Sequence, residues 1–177
     1  RIPHFLPELI GLYRADGQLV AACGLNPATH GPLYLEKYLD RPIEALLSAR
    51  SHVSASRASI MEVGNLAAAT PGDGRMMFAA ICLLLSQNGF DWVAFTGTTR
   101  LRNSFRHLSF DPIELGEAGA SQVGDDAANW GRYYEQHPKV MAGDLSRGRR
   151  ILASNSMLHA LFEPMPELFP APRRMAS

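Results

Sequence analysis

Two apolar runs with strand character open the chain, and they flank a short polar turn. Residues 9–14 and 19–25 are rich in Leu, Ile, Val and Ala, and residues 15–18 between them read Ala-Asp-Gly-Gln. An Asp-Gly pair between apolar runs is a strong hairpin signal, because glycine readily adopts the left-handed conformation that tight hairpin turns need. The pattern therefore predicts an antiparallel strand pair at the start.

The following apolar segments alternate between strand and helix. Residues 58–66 predict a central strand, which ends before the breaker Pro-Gly-Asp-Gly at 71–74, and a helix from about 75 to 87. Asn88-Gly89 ends that helix, and the remaining segments predict a strand at 92–96, a helix at 100–108 and a strand at 112–115. A strand, a helix and a strand in this order predict a parallel crossover. The expected fold class is therefore α/β (α+β), a single domain with a mixed central sheet flanked by helices.

The segments outside this unit are predicted from local signals. Asp40 is expected to cap a helix with Pro42 in its first turn and an apolar stripe that runs to about Arg50. Residues 130–140 are rich in aromatic side chains and are expected to pack on the body of the domain.

Domain boundaries follow from the two ends of the chain. Residues 164–177 carry four prolines and predict a loosely held tail, so we assign residues 1–163 to the domain. The chain opens with Arg1, and we expect that an N-terminal part precedes it.

Composition and charge exclude several classes of protein. Lys+Arg and Asp+Glu both number 17 in 177 residues, so the chain has no net positive charge that would attract the nucleic-acid backbone. The longest apolar run, 76–85, is about half the roughly 20 residues of a spanning helix, so we expect no membrane span. Cys23 and Cys82 lie among apolar neighbours, which favours core thiols and a reducing, cytoplasmic compartment.

Familiar catalytic motifs are missing. The six histidines do not fall at metal-ligand spacing, so no metal is expected, and the chain has no Gly-x-Ser-x-Gly elbow. A dinucleotide-binding Gly-x-Gly-x-x-Gly loop that began at Gly72 would need its third glycine at position 77, where the chain has Met77, so this motif is absent. Gly72, Gly74 and Arg75 remain, between a strand and an apolar helix, where backbone amides bind anions. A plain strand-to-helix turn is the alternative there.

Two carboxylates and a group of arginines are the other candidates. Glu62 lies in an apolar strand, where burial would raise its pKa toward that of a general base, and the alternative is a structural Glu bonded to an Arg or Asn. Glu36 is interpreted as a solvated helix charge unless it binds substrate. Arg100, Arg102 and Arg106 either form a wet helix face or bind a phosphate or an acidic carrier surface.

Four strings carry a family resemblance: residues 32–44, the Glu-Val-Gly-Asn-Leu-Ala of 62–67, the Leu-Arg-Asn-Ser-Phe of 101–105, and the Trp-Gly-Arg-Tyr-Tyr of 130–134. They resemble the thermostable hemolysin family over nearly all of the chain. The order of predicted elements resembles the GNAT acyltransferases, including the acyl-homoserine lactone synthases.

The resemblance implies an acyl donor bound through phosphopantetheine, on either acyl-CoA or an acyl carrier protein. The pantetheine arm of the donor would run along the end of the central strand, and its phosphates would lie at the loop that follows. Asn103 is also implied as a donor-binding residue. The residues implied on the strand are Asn65, Leu66 and Ala68, and those implied on the loop are Gly72, Gly74 and Arg75. The chain departs from the pattern at Ala69 and Asp73, and Phe105 replaces the usual tyrosine acid.

The resemblance and the residues together predict an N-acyltransferase that moves a fatty acyl group to a small amine such as an amino acid. Glu62 would be the catalytic residue and Glu36 would bind the substrate amine. Partners would be the amine and a possible acyl carrier protein, with no nucleic acid, and the oligomeric state stays open. The alternatives are a membrane-active hemolysin without enzymatic chemistry and an inactive GNAT-like binding module.

Overall fold

A six-stranded mixed sheet forms the centre of the molecule, with strand order β1-β2-β3-β4-β6-β5. The computed structural model describes residues 5–99, 101–102, 111–122, 134–146 and 150. The strands are β1 (Glu8–Tyr13), β2 (Leu19–Pro27), β3 (Ile60–Ala68), β4 (Trp92–Gly97), β5 (Ile113–Glu117) and β6 (Lys139–Asp144), and the two α-helices are α1 (Ile43–Ser51) and α2 (Pro71–Gln87). The predicted fold class is confirmed. The boundary at 163/164 stays a prediction, because residues 151–177 lie outside the described part.

The opening hairpin has the predicted form. β1 and β2 pair antiparallel from Glu8 opposite Leu25 to Tyr13 opposite Leu19. In the turn, Gly17 has a φ of 83°, and the Asp16 carboxylate accepts the N–H of Gln18. Glycine is needed here because this backbone region is costly for other residues.

The parallel crossover β3-α2-β4 is confirmed, but its helix begins earlier than the glycine pair suggested. α2 starts at Pro71, with Thr70 as its N-cap, so Gly72 and Gly74 lie in the first helical turn and not in a loop before Arg75. Proline fits the first turn because its missing N–H would have no partner there. The predicted start at about residue 75 was wrong. Two glycines favour a loop, but Thr70 followed by Pro71 is a typical helix start, and the helix begins there.

The first helix is capped in an unexpected way. Asp40 is not its N-cap: the cap position belongs to Pro42, and the N–H of Ile43 donates to the Glu36 carboxylate at 3.0 Å. A glutamate seven residues upstream thus supplies the acceptor that the first turn of a helix requires.

β6 was missed by the sequence analysis. It covers the end of the predicted aromatic segment and lies between β4 and β5, antiparallel to both. Its register with β4 runs from Trp92 opposite Asp144 to Gly97 opposite Lys139.

Two apolar layers cover the two faces of the sheet. α2 packs on one face over Met61, Val63 and Phe95, and the rings of Phe78 and Phe95 meet edge to face at 5.6 Å. On the other face, α1 and the β2–α1 connection (residues 28–42) pack over Ile60, Trp92 and Val140. Both cysteines are free and buried, as predicted, and burial raises the pKa of the Cys23 thiol to about 12.

Candidate functional site

The parallel strands β3 and β4 separate in the middle of the sheet. Their ladder runs from Ile60 opposite Trp92 to Val63 opposite Phe95 and ends there. Beyond that point β3 continues to Ala68 beside β2, while β4 continues to Gly97 beside β6. The two strands therefore form a V, with one edge of each beyond the apex left without a β partner in the described residues.

A bulge bends β3 just beyond the apex. Asn65 has a φ of 52°, and the β2–β3 register shifts between Ala22 and Gly24. The Asn65 side chain accepts the N–H of Leu6 at 2.9 Å. Left-handed backbone is tolerated by asparagine better than by most residues, and bulges at such places redirect a strand.

The chain before β1 lies across this bulge. A methyl group at Gly24 would come within 2.7 Å of the Leu6 Cβ, and one at Gly64 would come within 3.1 Å of a Leu6 methyl. Leu6 therefore contacts the two strands where they carry no side chain, next to the apex.

The predicted donor-binding strand residues lie on the open side of the V. Leu66 is half-buried, Ala68 is exposed, and both belong to the part of β3 beyond the ladder with β4. Asn65 lies between them and the apex. Their predicted role in binding stays a prediction.

Glu62 lies one residue before the apex and is 4% exposed. Its Oε2 accepts the Asn26 side-chain amide at 3.2 Å and the N–H of Tyr34 at 3.0 Å, and its Oε1 accepts the N–H of Leu35 at 2.9 Å. Desolvation raises the pKa of this carboxyl, and the three N–H donors offset only part of the shift. A carboxylate offers about four acceptor positions, so Oε1 keeps one position unused by these bonds.

The interpretation of Glu36 as a solvated charge is wrong. Its Oε1 accepts the N–H of Ile43 and one Arg57 nitrogen, and its Oε2 accepts the N–H of Leu33 and the other Arg57 nitrogen. Desolvation alone would raise the pKa of Glu36, but Arg57 and the two backbone donors outweigh it and lower the pKa. Four donors fill the acceptor positions of this carboxylate.

Arg57 is the residue that sequence reasoning missed. Its guanidinium donates to Glu36, to Glu44 at 2.9 Å, and to the carbonyls of Ala28 and Gly31 at 2.8 and 2.7 Å. The hydrogen bond to Glu36 contributes most to raising its pKa, so it stays charged. The only local signal was a single cation in a stretch of small residues, and its partners lie 13 to 29 positions away.

An open cleft of about 510 Å³ lies beside this ion-pair cluster. Glu36, Glu44 and Arg57 line it, together with the exposed Asp40 and Arg41. The cleft is thus lined by both negative and positive side chains, but hydrogen-bond donors of the protein itself already fill the acceptor positions of Glu36. The predicted substrate-binding role of Glu36 stays a prediction.

The predicted phosphate-binding residues lie in the first turns of α2. Gly72 and Arg75 are exposed and Gly74 is half-buried. The N–H of Gly74 donates to the Thr70 carbonyl at 3.1 Å, as part of the helix start. Their role in binding the donor's phosphate stays a prediction.

Part of the predicted site falls outside the described residues, namely Asn103, Phe105, Arg100 and Arg106. Arg102 is described, and its guanidinium donates to the carbonyls of Gly97 and His137 at 3.0 and 2.8 Å. This arginine therefore ties the end of β4 to the residues before β6.

In the ranges that the structure describes, no helix is both long and apolar enough to cross a membrane. Nor do these ranges bring three or more His, Cys, Asp or Glu side chains together as a metal site.

Solved structures with a similar fold include several acyl-homoserine lactone synthases. The CoA-dependent synthase BjaI, solved with SAM and isopentyl-CoA, is 15% identical with a TM-score of 0.57 over 90% of this chain and 70% of that chain. Apo TofI is 17% identical with a TM-score of 0.54 over 85% of this chain and 74% of its own. The synthase LasI is 14% identical with a TM-score of 0.50 over 75% and 61%. These likenesses confirm the GNAT-like fold.

Sequence comparison supplies the family. No curated protein sequence matches the chain. Residues 1–149 match the family model described as thermostable hemolysin, so the chain belongs to the thermostable hemolysin family.

Proposed function

We propose that this protein is an N-acyltransferase that moves a fatty acyl group from a phosphopantetheine thioester to a small amine such as an amino acid. One observation carries the proposal: a buried carboxylate, Glu62, lies one residue from the point where two parallel strands separate. The V supplies backbone groups for an extended ligand, and the carboxylate supplies a proton acceptor at its apex.

The donor would enter along the open edge of β3. The backbone of Asn65, Leu66 and Ala68 offers N–H and C=O groups to the two amides of a pantetheine arm, as an added strand would. The donor's phosphate would lie near Gly72, Gly74 and Arg75, at the N-terminus of α2. BjaI, which is described as CoA-dependent and was solved with isopentyl-CoA, supports a thioester donor for this fold.

Glu62 would act on the acceptor amine. Its unused acceptor position on Oε1 can take an N–H from the ammonium, directly or through a water molecule. The ammonium then loses one proton to the carboxylate, the neutral nitrogen attacks the thioester carbonyl, and the C–N bond forms as the C–S bond breaks. The second nitrogen proton is released to solvent as the amide forms. Burial raises the pKa of Glu62, which makes it a stronger base than an exposed glutamate.

The leaving group needs little assistance. The sequence has Phe105 where the resembled acyltransferases carry a tyrosine acid. A thiolate is a good leaving group at neutral pH because the pKa of a thiol is about 8.5. It can take its proton from solvent after the C–S bond breaks.

The test compares Glu62→Gln with the wild-type protein. Decanoyl to hexadecanoyl thioesters on CoA and on a carrier protein are offered with a panel of amino acids and amines, and products are measured by intact mass. We expect Glu62→Gln to lower the rate about 100-fold or more, the contribution of a general base. Glu117→Gln, which changes a carboxylate that is 67% exposed, is the matched control and should keep the rate.

Two results would count against the proposal. A folded Glu62→Gln protein with an unchanged rate would remove Glu62 as the base. No acylated amine from any donor, with dye release from liposomes by the protein alone, would favour the lytic activity that the family's description names.

A further inference from the structure

The strand β1 forms one edge of the sheet. It pairs with β2 on one side, and no strand in the described part of the chain pairs with its other side. The N–H of Arg14, which follows β1, donates to the Gln18 carbonyl within the hairpin. Because N–H directions alternate along a strand, Leu9, Gly11 and Tyr13 direct their N–H and C=O groups away from β2. These three residues therefore offer backbone donors and acceptors to a further strand.

The hairpin is apolar beside this edge. Three of the five exposed large hydrophobic side chains in the described ranges lie here: Leu9 is 60% exposed, Tyr13 is 62% exposed and Leu19 is 51% exposed. A methyl group at Gly11 would come within 2.8 Å of a Leu19 methyl and 3.0 Å of the Tyr13 ring, so both side chains lie over Gly11. An apolar surface thus borders a backbone edge that can accept another strand.

The opposite edge of the sheet, β5, is protected. Arg50 of α1 donates to the backbone carbonyl of Glu114, and Lys139 forms ion pairs with the side chains of Glu114 and Glu117. Charged side chains and covering elements are the usual means by which proteins keep sheet edges from pairing. β1 contains no lysine or proline, and its one charged residue is the first, Glu8. The edge that is suited to pairing is therefore β1.

In one antiparallel register, β1 is complementary to a second copy of itself. With Gly11 opposite Gly11 of the second copy, Leu9 lies opposite Tyr13. Ile10 then lies opposite Leu12. Opposite residues of an antiparallel pair place their side chains on the same face of the sheet. Exposed apolar side chains therefore meet each other on one face, and half-buried ones meet on the other.

The same register joins opposite charges at its two ends. Glu8 of each copy lies opposite Arg14 of the other. Opposite charges directly across two strands stabilise the pairing, and like charges destabilise it. The Arg14 side chain is 54% exposed and lies 3.5 Å from Asp73 of its own chain, so it remains accessible to a second carboxylate. Centring the pairing on Ile10 or on Leu12 would remove the Glu8–Arg14 pair.

We propose that the protein forms a two-fold symmetric dimer in which the β1 strands of two copies pair antiparallel about Gly11. The two six-stranded sheets then become one continuous sheet. The contact is closed, because each copy uses its one pairing edge and the same residues meet from both sides. β2 and β3 separate β1 from the V between β3 and β4, so the dimer does not depend on the acyl transfer proposed above.

The first test compares Leu9→Lys with Val53→Lys. Sedimentation equilibrium of the 177-residue chain measures its mass at increasing concentration, and the wild type should rise from 19.4 kDa toward twice that mass. Leu9→Lys places a charge on the edge strand, twice in each dimer, and should raise the dimer dissociation constant about 100-fold or more. Val53→Lys changes a side chain that is 58% exposed, in the segment after α1, and should leave the constant within about twofold.

The second test is specific to the register. Glu8→Arg sets a like charge opposite Arg14 of the second copy and should raise the dissociation constant about tenfold. Adding Arg14→Glu restores opposite charges in reversed order and should return the constant to near the wild-type value. Adding Arg41→Glu instead changes an exposed arginine beside α1, gives the same net charge, and should restore nothing. Circular dichroism checks that each variant is folded, and the first test still decides if Arg14→Glu does not fold.

Three results would overturn the inference. A wild-type protein that stays at 19.4 kDa up to about 0.5 mM forms no such dimer. Equal weakening by Leu9→Lys and Val53→Lys would place the contact away from β1. A folded Glu8→Arg, Arg14→Glu protein that is not restored, or equal restoration by Arg41→Glu, would remove the register about Gly11.

Discussion

Two carboxylates hold the β2–α1 connection in place, and they do so in opposite electrostatic surroundings. Glu36 is bound by Arg57 and two backbone donors, and its pKa is lowered. Glu62 is bound by three neutral N–H donors in a buried position, and its pKa is raised. A carboxylate paired with a guanidinium stays ionised and saturated, whereas one held by amides alone can gain or lose a proton inside the fold. The first suits a structural brace and the second suits proton transfer.

Removing Arg57 should have the largest effect on stability. Arg57→Ala leaves Glu36 and Glu44 without their cation and removes four hydrogen bonds to the connection and one to Glu44 in α1. We expect a loss of about 2–3 kcal/mol in the free energy of unfolding, below the value for a fully buried pair because the side chain is 28% exposed. Urea unfolding measures it.

Arg41→Ala is the matched control for that experiment. Arg41 lines the same cleft, is exposed, and makes no hydrogen bond to another residue in the described ranges. We expect a change within about 0.5 kcal/mol. Equal losses in both variants would show that Glu36 does not depend on its arginine.

Neutralising each carboxylate in turn should distinguish the structural role of Glu36 from the proton-accepting role of Glu62 by their different effects on stability. Glu36→Gln keeps one acceptor oxygen but loses the charge that binds Arg57, and we expect a loss of about 2 kcal/mol in the free energy of unfolding. Glu62→Gln loses one acceptor but also avoids burying an ionised group, so we expect a loss within about 1 kcal/mol. Thermal and urea unfolding at neutral pH measure both. The reverse order would contradict the comparison.

The same two variants should respond to pH with opposite signs. The pKa of Glu62 is higher in the folded chain, so its contribution to stability decreases as pH rises from its ordinary value of 4.5 through the raised folded pKa. The pKa of Glu36 is lower in the folded chain, so its contribution is present above 4.5 and is lost as pH falls through the lowered folded pKa.

The measurement is urea unfolding of both variants and the wild type from about pH 3 to about pH 8. The stability of the wild type relative to Glu62→Gln should fall with rising pH, and relative to Glu36→Gln it should rise. Parallel curves for the two variants would show that the carboxylates do not differ in their electrostatic surroundings.

The difference between the two carboxylates also explains how far the sequence could be interpreted. Glu62 was found because a charged residue inside an apolar strand is a local signal, visible in a few neighbouring letters. The role of Arg57 depends on residues that only the fold brings near it, so no local pattern marks it. β6 was missed for a related reason, since its pairing with β4 and β5 is non-local and its own sequence alternates weakly.

The start of α2 shows a different kind of error. The Thr-Pro signal was present in the sequence, but two glycines favoured a loop, and only the Thr70–Asp73 hydrogen bonds show that this segment is a helical turn. The hairpin and the crossover were predictable because their turn residues and apolar periods agree.

The smallest expected effect concerns the only side-chain donor to Glu62 among the described residues. Asn26→Ala removes the amide that donates to Oε2 at 3.2 Å and leaves the two backbone donors. We expect a loss of about 0.5–1 kcal/mol in the free energy of unfolding, the usual net value of one hydrogen bond. Because the amide favours the ionised form, its loss should raise the pKa of Glu62 further and move the fall in stability to higher pH.

Asn88→Ala is the control for this pH shift. Asn88 also loses one side-chain hydrogen bond, at 2.8 Å to the Leu84 carbonyl, but it ends α2 and has no bond to Glu62. The two variants should lose similar stability at neutral pH, while only Asn26→Ala changes the pH dependence. If neither variant changes it, amide donors do not set the protonation of Glu62, and its burial alone accounts for the contrast with Glu36.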